Sequence, residues 1–173
     1  MYAEHPELEH VEDALTIWRY MNFTKFVHLL STNSLFFART DTLGDHFEGA
    51  LPRPVAEKRR DAYRFSYPGA PDGEYERLGR LEREFVAVNC WHMSEHESAA
   101  MWSLYLDANE GVALRSTVGR FKASFDATDL SHIVYLATIR YIDYGRDTFE
   151  PHNQYTRFLY NESPLNMSTN YGL

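Results

Sequence analysis

The sequence lacks several features that would narrow its function at once. It has one cysteine, Cys90, so it forms no internal disulfide and carries no mark of an oxidising compartment. No apolar stretch approaches the roughly 20 residues that span a bilayer. The acidic start MYAEHPELEHVEDAL has no apolar segment of the kind found in signal peptides. We therefore expect a cytoplasmic protein that does not enter the membrane.

Basic residues are also scarce relative to acidic ones. The chain has 17 lysines and arginines against 25 aspartates and glutamates, which gives a net charge of −8. Non-specific binding to nucleic acid depends on clustered cations, so this balance argues against a nucleic-acid-binding protein. The one basic run, Arg53 to Arg60, predicts a solvated helix face rather than a phosphate-binding patch.

Familiar catalytic and cofactor signatures are missing as well. The sequence contains no GxGxxG, P-loop, GxSxG, HExxH or CxxC pattern. Their absence removes the simple assignments to dinucleotide, nucleotide, hydrolase and zinc-protease chemistry. It does not exclude catalysis.

What the sequence does have is enough length for a core and many large rings. Its 173 residues suit one domain, and it contains 12 tyrosines and 11 phenylalanines. Helix-like and strand-like segments are mixed without strict alternation, which favours an α+β fold. We predict a mixed, largely antiparallel sheet of about five strands packed with helices, in a single domain of residues 1–160 followed by a polar tail of residues 161–173.

Local patterns place most of the elements. A β-branched and aromatic run predicts a strand at 16–21, and apolar residues at helical spacing predict an amphipathic helix from Phe23 to Asn33. The apolar run 85–93 predicts one buried strand. Ser94 and Glu97 have the spacing of a capping box, and the apolar segment after them predicts a buried helix around residues 97–108. Further helices are predicted at 54–66, 72–84 and 117–125, and further strands at 35–39, 112–116 and 132–142.

The segment FFARTDTLGDHFEG, residues 36–49, is the first candidate site. Arg39 is suited to hold a carboxylate or phosphate with its two-pronged donor face, and Asp45 or Glu48 is suited to act as a base. The alternative is a plain turn, in which the acids and glycines shape the backbone and Arg39 pairs with a neighbouring acid. On the residues alone, the turn is the more common arrangement.

Two further segments carry candidate ligands. Cys90, His92 and His96 suggest a metal, but the two histidines fall on different predicted elements, so we expect no metal site. Trp102 and Tyr105 are three apart and would form an aromatic wall, although aromatic residues at helical spacing belong more often to a core.

Three groups of segments together resemble a known family. They are WRYM with the helix that follows it and SLFFAR (18–39), DTLGDHFEG (41–49), and CWHM with AMWSLY and EGVA (90–113). In order and spacing they resemble the bacterial domain-of-unknown-function family 2971 over roughly residues 17–160. Gly44 and His46 depart from the family loop, whereas Asp45, Phe47 and Glu48 match it. We find no counterpart of the family's usual further strand after Phe158–Tyr160, so we expect a chain that is shortened, inactive or completed by a partner.

The resemblance favours a functional site over a plain turn at residues 36–49, although the family has no established reaction. A weaker analogy to ADP-ribosyltransferase-like folds places Arg19, Phe36 or Phe37, and Glu48 in loosely similar positions. The resemblance thus implies a pocket with Glu48 and Asp45 as candidate catalytic residues. Its candidate ligand-binding residues are Arg19, Arg39, His92, Trp102 and Tyr105. We expect no bound cofactor, with NAD or another nucleotide as the ligand to test.

Three functions remain open at this point. The chain is a non-catalytic interaction or ligand-binding module, with an open sheet edge for a partner protein or a second copy. Alternatively, it is an enzyme that transfers or hydrolyses a glycosidic group of a nucleotide-like ligand. The third alternative is a purely structural domain. We rank the interaction module first, and we predict that the loop after Phe37 faces the helix that bears Trp102 across a cleft.

Overall fold

The computed structural model describes residues 1–44, 47–105, 110–126, 132–150 and 155–163. Helices and strands are mixed along these residues, as an α+β fold requires. The helices are α1 (Phe23–Thr32), α2 (Arg53–Ser66), α3 (Glu74–Glu84), α4 (Ala99–Tyr105) and α5 (Val118–Asp126). The strands are β1 (Thr16–Asn22), β2 (Ala38–Arg39), β3 (Ala87–Val88), β4 (His92–Met93), β5 (Gly111–Thr117), β6 (Arg140–Ile142) and β7 (Tyr160–Glu162). None of these helices has the length and apolar character needed to cross a bilayer.

The described chain divides into two compact units, each built from two segments. The first unit contains Met1–Phe37 and Asn89–Ala137, and the second contains Ala38–Val88 and the described residues after Thr138. Strands occur in both units, in three separate small sheets. The α+β class and the largely antiparallel pairing are confirmed, but the strands do not form the one sheet of about five that the sequence predicted.

The first unit is built around β1, the middle strand of an antiparallel sheet with the order β4-β1-β5. Its residues alternate between two faces, and both faces are largely buried. On one face, Ile17 packs with Val118, Phe121 and Phe125 to form the core of the unit. On the other face, Trp18 and Tyr20 carry the aromatic rings described below.

Helix α1 begins and ends where local chemistry predicts. The Asn22 side chain accepts a hydrogen bond from the Lys25 N–H at 2.9 Å, which satisfies one free donor of the first turn. At the other end, Asn33 takes the left-handed conformation with φ of 50°, which stops the helix. The apolar stripe predicted for this helix is present, but most of it is exposed.

The second unit contains α2, α3 and two short strand pairs. β2 and β3 pair antiparallel, whereas β6 and β7 pair in parallel. The segment 67–73 connects α2 to α3. β7 continues through Glu162, two residues into the predicted polar tail, and residues 164–173 lie outside the described chain.

The apolar run 85–93 is two strands rather than one. β3 pairs with β2, and β4 pairs with β1. Between them, the Asn89 amide donates to the Phe36 carbonyl, and the Trp91 indole donates to Asn89 Oδ1 at 2.7 Å. The run therefore changes strand partners between β3 and β4, at residues whose side chains bond to neighbouring segments.

The prediction of a buried helix around 97–108 is wrong for its described residues. No residue of α4 is buried, and Leu104 exposes 75% of its surface. In the described part of the helix, Ala99–Tyr105, Trp102 packs against Tyr20 on one side, and the apolar side chain of Leu104 stays exposed. Its predicted cap is also wrong. Ser98 Oγ accepts from the Met101 N–H at 3.3 Å, whereas the Ser94 hydroxyl bonds to the backbone of His96.

Candidate functional site

Tyr20 is the centre of the aromatic cluster that contains two of the predicted ligand-binding residues. Its ring meets the edge of Trp102 at 5.2 Å and lies 6.4 Å from the ring of His92. β1 supplies the tyrosine, α4 supplies the tryptophan, and β4 supplies the histidine opposite Trp18 in the sheet. The structure thus brings His92 and Trp102 to one place in the first unit.

The polar atoms of this cluster are already bonded within the chain. The Trp18 indole donates to the Ser94 carbonyl at 2.9 Å, and the Trp102 indole donates to Glu97 at 3.1 Å. The Tyr20 hydroxyl accepts from the Ser98 N–H at 2.9 Å. The bonds of Trp18 and Tyr20 attach the segment before α4 to β1, and the bond of Trp102 joins that segment to α4. Their role is structural, since they leave few directional groups for a ligand.

Arg19 and Tyr105 lie apart from that network. The Arg19 guanidinium donates to the backbone carbonyl of Cys90, which fixes the chain beside β4. Tyr105, at the end of α4, is 40% exposed, and within the described chain it makes no ring contact or hydrogen bond. Among the described residues, no group of three or more histidine, cysteine, aspartate or glutamate side chains has a geometry that holds a metal ion.

In the second unit, Arg39 is engaged by a neighbouring acid. Its Nε and Nη2 donate to the two carboxylate oxygens of Asp41 at 3.0 and 2.6 Å. These hydrogen bonds hold the pKa of Asp41 below its ordinary value and raise the pKa of Arg39. The arrangement agrees with the alternative in which residues 36–49 form a plain turn. In that alternative Arg39 pairs with a neighbouring acid and is not available to a ligand.

The end of the predicted loop is held by residues far along the sequence. The Arg157 guanidinium donates to the carbonyl of Gly49, and Gly49 has φ of 66° with the Phe158 ring against it. The Tyr144 hydroxyl donates to the Tyr160 carbonyl at 2.9 Å, and its ring meets the edge of Phe47 at 5.4 Å. Glu48 is half-buried beside these contacts, and Asp45 lies outside the described residues. The prediction that Arg39 and Glu48 line one cleft with Trp102 and Tyr105 stays a prediction.

The second unit also contains a groove that the sequence did not reveal. We call it the tyrosine groove: the cleft of about 370 Å³ between α2, the segment 67–73 and the start of α3. Three tyrosines line it, Tyr63, Tyr67 and Tyr75, together with the prolines of the connecting segment. Charged side chains line it as well: Arg60, Arg64, Asp72, Glu74 and Glu76.

The three tyrosine rings form a contiguous row. Tyr63 in α2 lies 4.9 Å from the ring of Tyr67 and 5.6 Å from that of Tyr75, with the ring planes tilted at 37° and 49°. Tyr67 directly follows the last residue of α2, and its N–H donates to the Tyr63 carbonyl at 2.8 Å, which keeps the two residues one turn apart. Tyr75 joins them because Gly73 adopts φ of 79° as α3 begins.

Ion pairs neutralise part of the groove's charge. Arg60 Nε lies 3.2 Å from Glu76, and Glu74 accepts two hydrogen bonds from Arg77, which lower the pKa of Glu74. Asp72 and Arg64 make no ion pair within the described residues, and there the three tyrosine hydroxyls make no hydrogen bond. The groove therefore presents aromatic faces, phenolic donors and one charge of each sign to a ligand.

One sequence signal for this groove was present. Tyr63 and Tyr67 stand four apart, a spacing that would align them if the helix predicted at 54–66 continued by one residue. Tyr75 belongs to a different helix, and no local pattern relates it to the other two.

Comparisons of the chain with protein-family models, curated proteins and solved structures gave no match. The resemblance to family 2971 therefore stays a prediction.

Proposed function

We propose that this chain is a non-catalytic interaction module that binds an extended peptide segment in the tyrosine groove. The proposal is carried by one observation: three touching tyrosine rings line an open cleft, and their hydroxyls have no hydrogen-bond partner within the described chain. Sites for extended peptides combine aromatic faces with hydrogen-bond donors in this way.

The charged groups support binding rather than acid–base chemistry. Glu74 and Glu76 are paired with arginines, and Arg39 in the predicted loop is paired with Asp41. A catalytic carboxylate is usually poised near neutral pH by its surroundings, whereas an arginine partner favours the ionised form. Enzymatic transfer on a nucleotide-like ligand remains the alternative from the sequence resemblance, without an observation in its favour among these residues.

A peptide selection tests the proposal. Short random peptides are selected on the full chain, and the recovered peptides are synthesised and measured by isothermal titration calorimetry. Tyr67→Ser removes an exposed groove ring, so we expect affinity to fall about tenfold or more, roughly 1.4 kcal/mol.

Phe65→Ser is the matched control, because Phe65 is a 90% exposed ring on the same helix that does not line the groove. Affinity should stay within about twofold of the parent. Recovered peptides that bind Tyr67→Ser as tightly as the parent would count against the proposal. A selection that recovers no peptide would also count against it.

The open edge of β5 favours a second function, self-association. β5 is seven residues long, and β1 is its only strand partner within the described chain. An uncovered edge strand offers its backbone groups to another strand, and a second copy of the chain is the simplest source of one. Sedimentation equilibrium and hydrogen exchange test this. A dimer whose residues 111–117 exchange more slowly at high than at low protein concentration supports self-association. A monomer whose exchange does not depend on protein concentration opposes it.

A further inference from the structure

We infer that the tyrosine groove takes a proline-bearing extended segment in which a lysine or arginine stands next to the prolines. The inference rests on the proposed function and names the class of peptide. It combines the spacing of the rings, their unpaired hydroxyls and the charges along the groove.

The row of rings is at most about one turn of a polyproline II segment long. The two ring-to-ring steps are 4.9 and 5.6 Å, with Tyr63 in the middle. A polyproline II helix rises about 3.1 Å per residue, so one turn of three residues spans roughly 9 Å. Prolines one turn apart on the same side of such a segment would meet the two outer rings, Tyr67 and Tyr75.

The hydroxyls supply what a polyproline II backbone requires. This conformation has no internal hydrogen bonds, so its carbonyls are free to accept from a partner. The hydroxyls of Tyr63, Tyr67 and Tyr75 are donors without an acceptor among the described residues, and their rings form one row in the groove. Because proline has no N–H, a proline-rich ligand also brings fewer donors that would need acceptors in the groove.

Asp72 and the acidic net charge of the protein favour a basic residue in the ligand. Of the three carboxylates and two guanidiniums that line the groove, Asp72 and Arg64 each lack an ion pair within the described chain, so the unpaired local charges balance. The whole protein carries a net charge of −8, which attracts cationic segments over longer distances. The Arg64 guanidinium is available to donate to a carbonyl or a terminal carboxylate of the ligand.

The groove itself has room for a short motif. Its volume of about 370 Å³ lies near the lower end of the range for binding pockets, about 300–1,000 Å³, and a second, open cleft lined by Tyr63, Tyr67 and residues 68–71 adjoins it. The groove suits roughly one turn of polyproline II with one flanking basic side chain, and the adjoining cleft leaves room for a longer segment.

Three blocked synthetic peptides test this inference by calorimetry with the full chain. The first contains repeated Pro-Pro-Ala units followed by arginine, the second replaces the arginine with glutamate, and the third replaces the prolines with alanine. We expect the first to bind, and each replacement to weaken binding about tenfold or more.

Variants locate the contacts. Asp72→Asn should remove most of the preference for arginine over glutamate, because it removes the unpaired charge while it preserves the side-chain shape. Tyr63→Phe should weaken the first peptide about two- to tenfold through the lost hydroxyl. Phe65→Ser should leave all three affinities unchanged.

The outcomes separate this inference from the proposed function. Random peptides that need Tyr67 but contain neither proline nor a basic residue would overturn the inference and leave the function standing. Equal binding of the arginine and glutamate peptides, or of the proline and alanine peptides, would overturn it as well. If no peptide, random or synthetic, depends on Tyr67, both fail.

Discussion

At the scale of single residues, buried charges bind backbone groups as well as opposite charges. In the second unit, Arg157 pairs with Glu82 and also donates to the carbonyl of Gly49. In the first unit, Lys122 Nζ donates to the Val11 carbonyl at 3.0 Å and to Asp13 at 2.7 Å. Such contacts satisfy the desolvated charge and fix irregular segments in place. These side chains are therefore structural, and they do not line the tyrosine groove.

Glu162 provides a direct test of this role. Its side chain is 1% exposed, and one carboxylate oxygen accepts from the Tyr144 N–H at 2.9 Å. Glu162→Ala leaves that buried donor unpaired, so we expect the free energy of unfolding to fall by about 1–3 kcal/mol, measured by urea denaturation. Glu150→Ala, at an exposed ion pair, should change it by less than about 1 kcal/mol. Equal effects of the two substitutions would contradict a structural role for Glu162.

The pair of Arg39 and Asp41 predicts a pH dependence. Hydrogen bonds from Arg39 lower the pKa of Asp41 in the folded protein. The pair therefore contributes stability above the ordinary aspartate pKa of about 4, and this contribution is lost as the pH falls through the folded value. Urea midpoints should show that Asp41→Asn is destabilising at pH near 6 and that the difference shrinks below about pH 4.

Arg39→Gln supplies the control for that pH dependence. Without the guanidinium, Asp41→Asn should produce a much smaller pH-dependent difference, because only the backbone hydrogen bond and the charge of Arg83 still lower the pKa of Asp41. A difference of undiminished size in the Arg39→Gln background would assign the effect to another group.

At the scale of elements, short-range signals were sufficient for β1 and α1. The strand has a β-branched and aromatic run, and the helix has apolar residues at i, i+3, i+4 and i+7 before a stop at Asn33. Each signal lies within the element that it specifies. The structure therefore places both within about two residues of the prediction.

Elements that depend on distant partners were predicted poorly. The run 132–142 was expected to be one long strand, but only Arg140–Ile142 is a strand, and Val134 makes an isolated bridge to Tyr2. Hydrophobic runs indicate burial but do not state which strand will pair with which. The tyrosine groove was missed for the same reason, since its third ring comes from a second helix.

The turn at Gly49 gives an element-scale prediction with a matched control. A Cβ at this position would overlap the ring of Phe158, and φ of 66° disfavours other residues. Gly49→Ala should destabilise the protein by about 2–4 kcal/mol, measured by thermal or urea unfolding. Gly44→Ala meets no atom within 4 Å and should change stability little. Similar losses for both would show that the ring does not pack against Gly49.

At the scale of the whole molecule, the distribution of chemistry favours recognition over catalysis. The predicted aromatic and loop residues are largely occupied by hydrogen bonds within their own units. The tyrosine groove instead presents three unpaired hydroxyls, one unpaired carboxylate and one unpaired guanidinium within the described chain, in a protein of net charge −8. Binding of a basic peptide should accordingly weaken as salt rises, because exposed charges are screened over about 10 Å at 0.1 M ionic strength.

The most direct measurement of the central claim is the affinity of the Pro-Pro-Ala peptide with its terminal arginine for three proteins: the parent chain, Tyr67→Ser and Phe65→Ser. We predict that the parent and Phe65→Ser bind alike and that Tyr67→Ser loses about tenfold or more. Equal affinity for all three proteins, or no detectable binding to the parent, would contradict it.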